Sequence, residues 1–302
     1  MSGHPSAADR GKSTSATRRR VGCVVLTACR SEQDLERAVA SLGAQTEVEL
    51  EIAVVGNGCS PPDLPPGVSV VALPEDVGIP GGRNAGVEEV GGDLLFFLDD
   101  DASLADTDTL ARVAERFDAE PDLGLLQLRV DPLDGGPPLR NWVPRLRVGD
   151  RARSSDVTSV WEGAVAIRRS LFDTVGGWPA EFRFVHEGTD LAWRVLDAGY
   201  RVSYAGDLVA LHPSHRVFRH AYSYYYGARN RVWLARRYLP GVLGVAFVAS
   251  FVLRTLPNMR SADSARAAFR GYRDGMRQPA GRQRLRTETL WRMTKLGRPP
   301  VI

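Results

Sequence analysis

Three consecutive carboxylates follow a strongly apolar segment of the chain. Residues 93–98 have the pattern of a buried strand, and Asp99, Asp100 and Asp101 come directly after it. Adjacent carboxylates repel one another unless a cation lies among them, and a divalent metal with oxygen ligands meets that need. If the strand continued, Asp99 and Asp101 would point to the same side. Their position at a strand end favours a metal site over a solvated loop of helix-capping aspartates.

Two other segments carry groups suited to the same chemistry. His212 follows a predicted strand and could complete a metal shell begun by the aspartates, although a lone histidine is more often structural. Arg83 lies in the glycine-dense segment 78–86, where its guanidinium could hold a phosphate bidentately. A simple turn and helix start is an equally good interpretation of that segment.

Glu187 and Asp190 are spaced to share one face at the start of a helix. Arg194 comes four residues after Asp190 and is placed to pair with it. One carboxylate could then act as a general base while the other is held structurally. Acids stabilised at a helix N-terminus by the helix dipole are the alternative interpretation.

The segments that position these residues alternate between strand and helix patterns. Predicted strands cover residues 21–27, 50–55, 68–73 and 93–98, and a helix with Ser31 as its cap ends near Gly43. This order predicts an α/β protein whose mostly parallel sheet has helices on both faces. The irregular residues 131–160 indicate a functional loop or lid.

The formal net charge of +3 hides two segments of opposite sign. Residues 21–212 hold 16 basic and 32 acidic side chains, whereas residues 213–302 hold 18 basic and 3 acidic ones. With 43% hydrophobic and 25% charged residues, the composition excludes a wholly disordered or fibrous chain. Residues 1–20 lack an apolar stretch, which predicts a disordered arm and no signal peptide. Three cysteines are too few and odd in number for a disulfide framework, which favours a reducing cytosol.

The basic C-terminal segment contains the longest apolar run, residues 242–253. Its 12 residues fall short of the ~20 that cross a bilayer. Beside arginines and aromatic residues, such a run indicates an interfacial element on anionic lipid. Helices docked on the acidic body, or a nucleic-acid surface, are the alternatives.

These motifs together resemble those of glycosyltransferase family 2, with the GT-A fold, over residues 21–235. The matching segments, in family order, are Val24–Leu42, Val54–Gly58, Gly82–Asn84, Phe97–Asp101, Gly176–Trp178, Glu187 to Arg194, and His212-Pro213. The tyrosines before Arg229-Asn-Arg231 and the arginine-rich end further resemble bacterial cell-envelope members. Residues 236–302 would then form a basic helical C-terminal extension.

The resemblance implies an inverting transfer of a hexosyl or deoxyhexosyl group from a nucleoside diphosphate sugar. The acceptor would be a cell-envelope glycan or a polyprenyl-linked saccharide, and we expect no nucleic-acid partner. Mn²⁺ or Mg²⁺ would be held by Asp99 and Asp101, with His212 as an additional ligand. Donor contacts would come from Thr27, Asn57, Arg83, Asn84, Asp99 and Asp100. The protein would be cytoplasmic, with the inner face of the cell membrane as a peripheral location.

Two positions depart from the family pattern. Gly56 stands where family members carry an acid that contacts the nucleobase, which puts recognition of the nucleobase in question. Gly188 stands where many carry the aspartate base, so we favour Glu187 as the base, with Asp190 as the alternative. A non-catalytic sugar- or lipid-binding relative, and a Mg²⁺-dependent phosphatase, are the competing functions.

Overall fold

The structure is a computed structural model that describes residues 19–214, 220–259 and 261–301. The predicted N-terminal arm lies outside these residues except for Arg19 and Arg20, which open the first strand. The strands are β1 (Arg19–Thr27), β2 (Val48–Asn57), β3 (Val68–Leu73), β4 (Leu94–Asp99), β5 (Ser103–Leu104), β6 (Leu123–Pro132), β7 (Ser155–Asp156), β8 (Ala164–Arg168) and β9 (Arg201–His212). The helices are α1 (Glu32–Gly43), α2 (Ile79–Val87), α3 (Thr109–Ala119), α4 (Arg169–Val175), α5 (Glu187–Asp197), α6 (Ala221–Tyr238), α7 (Gly241–Thr255), α8 (Ala262–Arg277) and α9 (Thr287–Lys295).

Within the described residues, one sheet has the strand order β3-β2-β1-β4-β8-β6-β9-β5, and β7 pairs with β9. The first four strands are parallel, β8 is antiparallel to both of its neighbours, and β9 is parallel to β6. The expected mostly parallel sheet is therefore confirmed. Strands β1, β2, β4 and β9 end at Thr27, Asn57, Asp99 and His212. Four predicted site residues thus lie where parallel strands end, which is the usual ligand edge of such a sheet.

Helices cover both faces of the sheet because alternate strand residues point to opposite sides. On β4, Phe96 joins one core cluster and Phe97 joins the other. The apolar stripe of α1 packs into the first cluster, and that of α5 packs into the second. Ser31 caps α1 as predicted, since its hydroxyl accepts a hydrogen bond from the Asp34 amide at 3.2 Å.

The C-terminal helices pack onto this body. Tyr238, Phe247 and Met293 belong to the same buried cluster as the α5 face of the sheet. Arg237 donates to Glu181 at 2.6 Å, so an ion pair also joins the basic extension to the acidic body. No helix in the described part of the chain combines the length and the apolar character needed to cross a membrane.

The number of cysteines predicted no disulfide framework, but two of the three are paired. Cys29 and Cys59 form a single disulfide, with their Cα atoms 6.3 Å apart, and Cys23 is a buried thiol. Each bridged cysteine lies two residues beyond the end of β1 or β2, which are neighbours in the sheet. The pairing follows from that register, which a count of cysteines does not contain.

Candidate active site

Three metal-binding side chains converge at the carboxyl edge of the sheet. The Nε2 atom of His212 lies 3.0 Å from Asp101 Oδ1 and 3.8 Å from Asp99 Oδ2. One ligand atom from each residue lies within 4.8 Å of the other two. The strand does not continue to Asp101, because β4 ends at Asp99 and the chain then turns. The turn, and not the strand pleat, brings the two carboxylates together.

The orientation of His212 suits a metal ligand. Its Nδ1 lies 2.6 Å from the carbonyl oxygen of Pro213, so Nδ1 carries the hydrogen and a neutral ring presents the Nε2 lone pair to the carboxylates. Burial lowers the pKa of His212, but the hydrogen bond to Asp101 and the charges of Asp101 and Asp99 outweigh it and raise the pKa above its usual value. A divalent ion at this site would therefore compete with a proton.

The surroundings of Asp99 leave room for a cation. Its Oδ1 accepts a hydrogen bond from Arg83 at 2.6 Å, which leaves Oδ2 facing His212. A Cβ atom on Gly163 would lie 2.4 Å from that Oδ2, so only glycine fits here. Two carboxylate oxygens and one imidazole nitrogen are suitable donors for Mn²⁺ or Mg²⁺. The residues present therefore fit the expected metal.

The two predicted donor residues of α2 are held inside the protein. Arg83 is 2% exposed, lies 5.2 Å above the Trp178 ring, and has an Nη1 without a partner among the described residues. The Asn84 amide donates to the Trp178 carbonyl at 2.9 Å and accepts from the Trp178 amide at 3.0 Å. In the described structure Arg83 thus balances the charge of Asp99, and Asn84 fixes the Gly-Gly-Trp turn.

Thr27 and Asp100 form a hydrogen-bonded pair beside the cluster. The Thr27 hydroxyl donates to Asp100 at 2.6 Å and accepts from the Cys29 amide at 2.9 Å. Burial, with the charges of Asp101 and Asp99, raises the pKa of Asp100 to about 6 even though the Thr27 hydrogen bond lowers it. Thr27 therefore fixes one of the three consecutive carboxylates.

The packing around Gly56 explains why this chain lacks the acid that family members carry at that position. A Cβ atom on Gly56 would lie 2.2 Å from the Cys59 carbonyl oxygen, so the segment after β2 fills the space of a side chain. Asn57 donates to Asp76 at 2.9 Å and accepts from the Val77 amide at 2.9 Å, which ties β2 to the loop before α2. A carboxylate at position 56 is thereby sterically excluded.

Glu187 lies beside an acid that the sequence reasoning missed. Glu187 is 3% exposed, and its Oε2 has no hydrogen-bond partner in the described part of the chain. Glu162 accepts a hydrogen bond from the Gly188 amide at 2.7 Å, and a Cβ on Gly188 would lie 2.4 Å from the same carboxylate oxygen. Burial, and then the charge of Glu162, raise the pKa of Glu187 to about 8. The Glu162 carboxylate thus occupies the space that a side chain at position 188 would need.

Asp190 is fully buried and its oxygens are engaged. It accepts from Arg194 Nε at 2.7 Å, as its spacing predicted, and from the Tyr238 hydroxyl at 2.7 Å. Arg237 adds a third contact at 3.3 Å. These bonds join α5 to α6, whereas Glu187 keeps an oxygen without a partner.

A strained loop leads into Glu187 and is held by Asn230. Three non-glycine residues in the segment 183–186 have φ between 59° and 73°, a costly conformation outside glycine. Asn230 Nδ2 donates to the carbonyl oxygens of Phe182, Phe184 and Val185 at 2.8–3.0 Å. The sequence reasoning singled out the Arg-Asn-Arg motif as a family feature but gave Asn230 no role.

Comparison with known proteins identifies the family of this chain. Residues 23–176 match the profile of the family described as Glycosyl transferase family 2, which confirms the resemblance read from the sequence. The O-antigen chain rhamnosyltransferase RfbN of Salmonella typhimurium (strain LT2) is 27% identical over 216 residues, which cover 65% of this chain and 68% of RfbN.

Solved structures confirm the GT-A fold. S. aureus TarS 1–349, solved in complex with UDP-GlcNAc, superposes with a TM-score of 0.58 at 16% identity and covers 85% of this chain and 80% of that one. The mannosyltransferase PcManGT from Pyrobaculum calidifontis, solved with GDP-Man and Mn²⁺, gives a TM-score of 0.54 at 16% identity over 93% of this chain and 85% of that one.

Proposed function

We propose, because the chain belongs to glycosyl transferase family 2, that it moves a hexosyl or deoxyhexosyl group from a nucleoside diphosphate sugar to a cell-envelope glycan or polyprenyl-linked acceptor. The convergence of Asp99, Asp101 and His212 at the carboxyl edge of the sheet is the observation that carries this proposal. The O-antigen function of RfbN supports the choice of acceptor class. The nucleotide sugars bound by TarS and PcManGT support the donor class.

The first part of the proposed chemistry is the stabilisation of the departing diphosphate. Asp99 and Asp101, with His212, would hold Mn²⁺ or Mg²⁺. When bound, such an ion supplies a Lewis acid that offsets the charge of the departing diphosphate. Arg83 pairs with the second oxygen of Asp99 at 2.6 Å, which holds that carboxylate in place. Thr27, Asn57, Arg83, Asn84 and Asp100 remain the proposed donor residues or their supports.

The second part is the deprotonation of the acceptor hydroxyl, which we assign to Glu187. Its unpartnered Oε2 would take the proton of the acceptor hydroxyl as the acceptor oxygen bonds to the anomeric carbon. The bond from that carbon to the diphosphate breaks in the same step, and attack from the opposite face inverts the configuration. The buried bonds of Asp190 to Arg194 and Tyr238 support Glu187 over Asp190 as the base.

The surface of α7 supports peripheral association with the cytoplasmic face of the membrane. Val242 and Leu253 are 84% and 72% exposed, and Val245 and Leu256 lie on the same face of the helix. An exposed apolar face among arginines is typical of a helix that lies in an anionic interface. The extension can therefore pack on the body through one side and meet lipid through the other.

A thermal-shift screen of nucleoside diphosphate sugars, with Mn²⁺ or with EDTA, tests the donor proposal. We expect one donor to raise Tm only when metal is present, and the same donor to be hydrolysed slowly without acceptor. Binding without any turnover would favour a non-catalytic relative. Turnover of a phosphomonoester would favour a phosphatase.

A further inference from the structure

A cavity of about 320 Å³ lies between the catalytic body and the C-terminal helices. Three arginines from separate segments line it: Arg231 on α6, Arg254 on α7, and Arg298 after α9. His186 and Thr189, on either side of the proposed base, line the same cavity. His186 and Thr189 thus place the cavity beside the first turn of α5, the turn that also carries Glu187.

The charged side chains described in the lining of this cavity are all arginines. Among the described residues that line it, none is acidic. Arg231 is 4% exposed and donates to the Phe247 carbonyl at 3.0 Å, and Arg298 donates to the Ser159 hydroxyl at 2.6 Å. Burial and the neighbouring guanidiniums lower the pKa of Arg231 and bring that of Arg298 to about 10. Arg231 is buried and Arg298 is partly buried, whereas Arg254 is exposed. A buried cation is costly unless an anion offsets it.

An aromatic wall lines the cavity beside the arginines, and the Arg231 guanidinium lies 3.1 Å from the centre of the Phe247 ring. Phe247 and Phe251 of α7 and Trp193 of α5 form this wall, and all three are buried. The Nε2 atom of His186 is also buried and has no partner among the described residues. A ligand that matches both the arginines and this aromatic wall carries a compact anionic group and a hydrocarbon part.

We propose that this cavity binds the phosphate or diphosphate of a lipid-linked acceptor, which presents its sugar hydroxyl to Glu187. The inference rests on the proposed transferase function and assigns the acceptor side of that site. A phosphate or diphosphate matches three guanidiniums, since one carboxylate would offset a single charge. The aromatic wall would take the first part of the hydrocarbon chain.

Calorimetric titration in EDTA tests the assignment without involving the donor site. The probes are farnesyl diphosphate, inorganic diphosphate and farnesol, and the proteins are the wild type, Arg298→Gln and Arg254→Gln. Arg266→Gln is the matched control, because Arg266 lies on α8, is 74% exposed, and the change removes the same charge. We expect farnesyl diphosphate to bind more tightly than inorganic diphosphate, farnesol not to bind, and both cavity variants to lose at least tenfold in affinity while the control keeps it.

Several outcomes would overturn the proposal. These are unchanged affinity in both cavity variants, an equal loss in Arg266→Gln, or equal binding of farnesol. Displacement of farnesyl diphosphate by short-chain phosphatidylglycerol would instead identify a bilayer headgroup as the occupant. Retention of the metal-dependent donor shift in Arg298→Gln separates a failure of this assignment from a failure of the transferase proposal.

Discussion

Glu187 lies where the proposed reaction needs a general base, and its pKa is raised. Burial and the charge of Glu162 raise its pKa to about 8, and only the deprotonated form can accept a proton. We therefore expect kcat/KM to rise about tenfold per pH unit below pH 8 and to level off above it. The measurement is a pH profile at saturating Mn²⁺.

The Glu162→Gln variant shows whether Glu162 acts on Glu187 through its charge. Removing that charge lowers the pKa of Glu187, so the acid limb of the profile should move to lower pH while the plateau rate is kept. A plateau that collapses with no shift would make Glu162 itself the base.

Glu162 and Gly188 also predict a compensating exchange. Gly188→Asp alone places a Cβ 2.4 Å from the Glu162 carboxylate and adds a like charge, so we expect lower Tm and strongly reduced turnover. Adding Glu162→Gly restores the space and creates the Glu-Asp pair common in the family, so the double variant should recover both. A single variant as stable and active as the double one would contradict this interpretation.

The candidate metal ligands could be predicted from residue types and their spacing, whereas the contact of Glu162 with Gly188 could not. Asp99 and Asp101 come at the end of a strand whose apolar run shows in the sequence, and His212 comes at the end of another predicted strand. Glu162 meets Gly188 across 26 residues through the packing of the loop before β8 against α5, and no local pattern encodes that contact.

At the scale of elements, α6 fixes the loop that carries the base. Asn230→Ala removes the two N–H donors of Nδ2, which three backbone carbonyls of residues 182–185 share. At about 1 kcal/mol for each donor, the loss should lower the free energy of unfolding by about 2 kcal/mol and reduce kcat, because the strained loop is no longer held. Urea unfolding and steady-state kinetics measure the two effects.

Asn141→Ala, at an exposed position, is the control for that variant and should change neither quantity. An Asn230→Ala enzyme with unchanged stability and kcat would show that the loop holds its shape without the clamp.

The starts of α1 and α5 could be predicted because capping and helical spacing are local. The clamp and the Cys29–Cys59 pair could not, since both join segments that only the tertiary fold brings together. The same holds for Gly56, whose reason is the backbone of residues 59–61 folded over it.

At the scale of the molecule, the near-neutral charge divides into an acidic body and a basic extension that packs on it. Arg237 joins Glu181 and Asp190, and Arg286 contacts Asp197. The composition predicted attraction between the two parts, but the arginine-lined cavity between them required the positions of three segments. The extension thereby helps to form that cavity.

The outer face of α7 predicts membrane binding that can be removed without unfolding. Val242→Ser with Leu253→Ser should lower co-flotation with phosphatidylglycerol vesicles several-fold at low salt, because both side chains are exposed and available to the interface. Val70→Ser, at a side chain of β3 that is 51% exposed, is the matched control and should float like the wild type. Equal flotation of all three proteins would refute the membrane assignment.

In the proposed mechanism, Asp99, Asp101 and His212 hold the ion that the donor needs. Titration of Mn²⁺ by electron paramagnetic resonance, with nucleoside diphosphate present, tests this ligand set. We expect one tight ion in the wild type and in Asp106→Asn, whose position is exposed, and at least about tenfold weaker binding in Asp101→Asn. Affinity should also fall as pH drops through the raised pKa of His212, because the protonated ring has no lone pair for the metal. Equal affinity for Mn²⁺ in Asp101→Asn and Asp106→Asn would show that Asp101 is not a ligand of the ion.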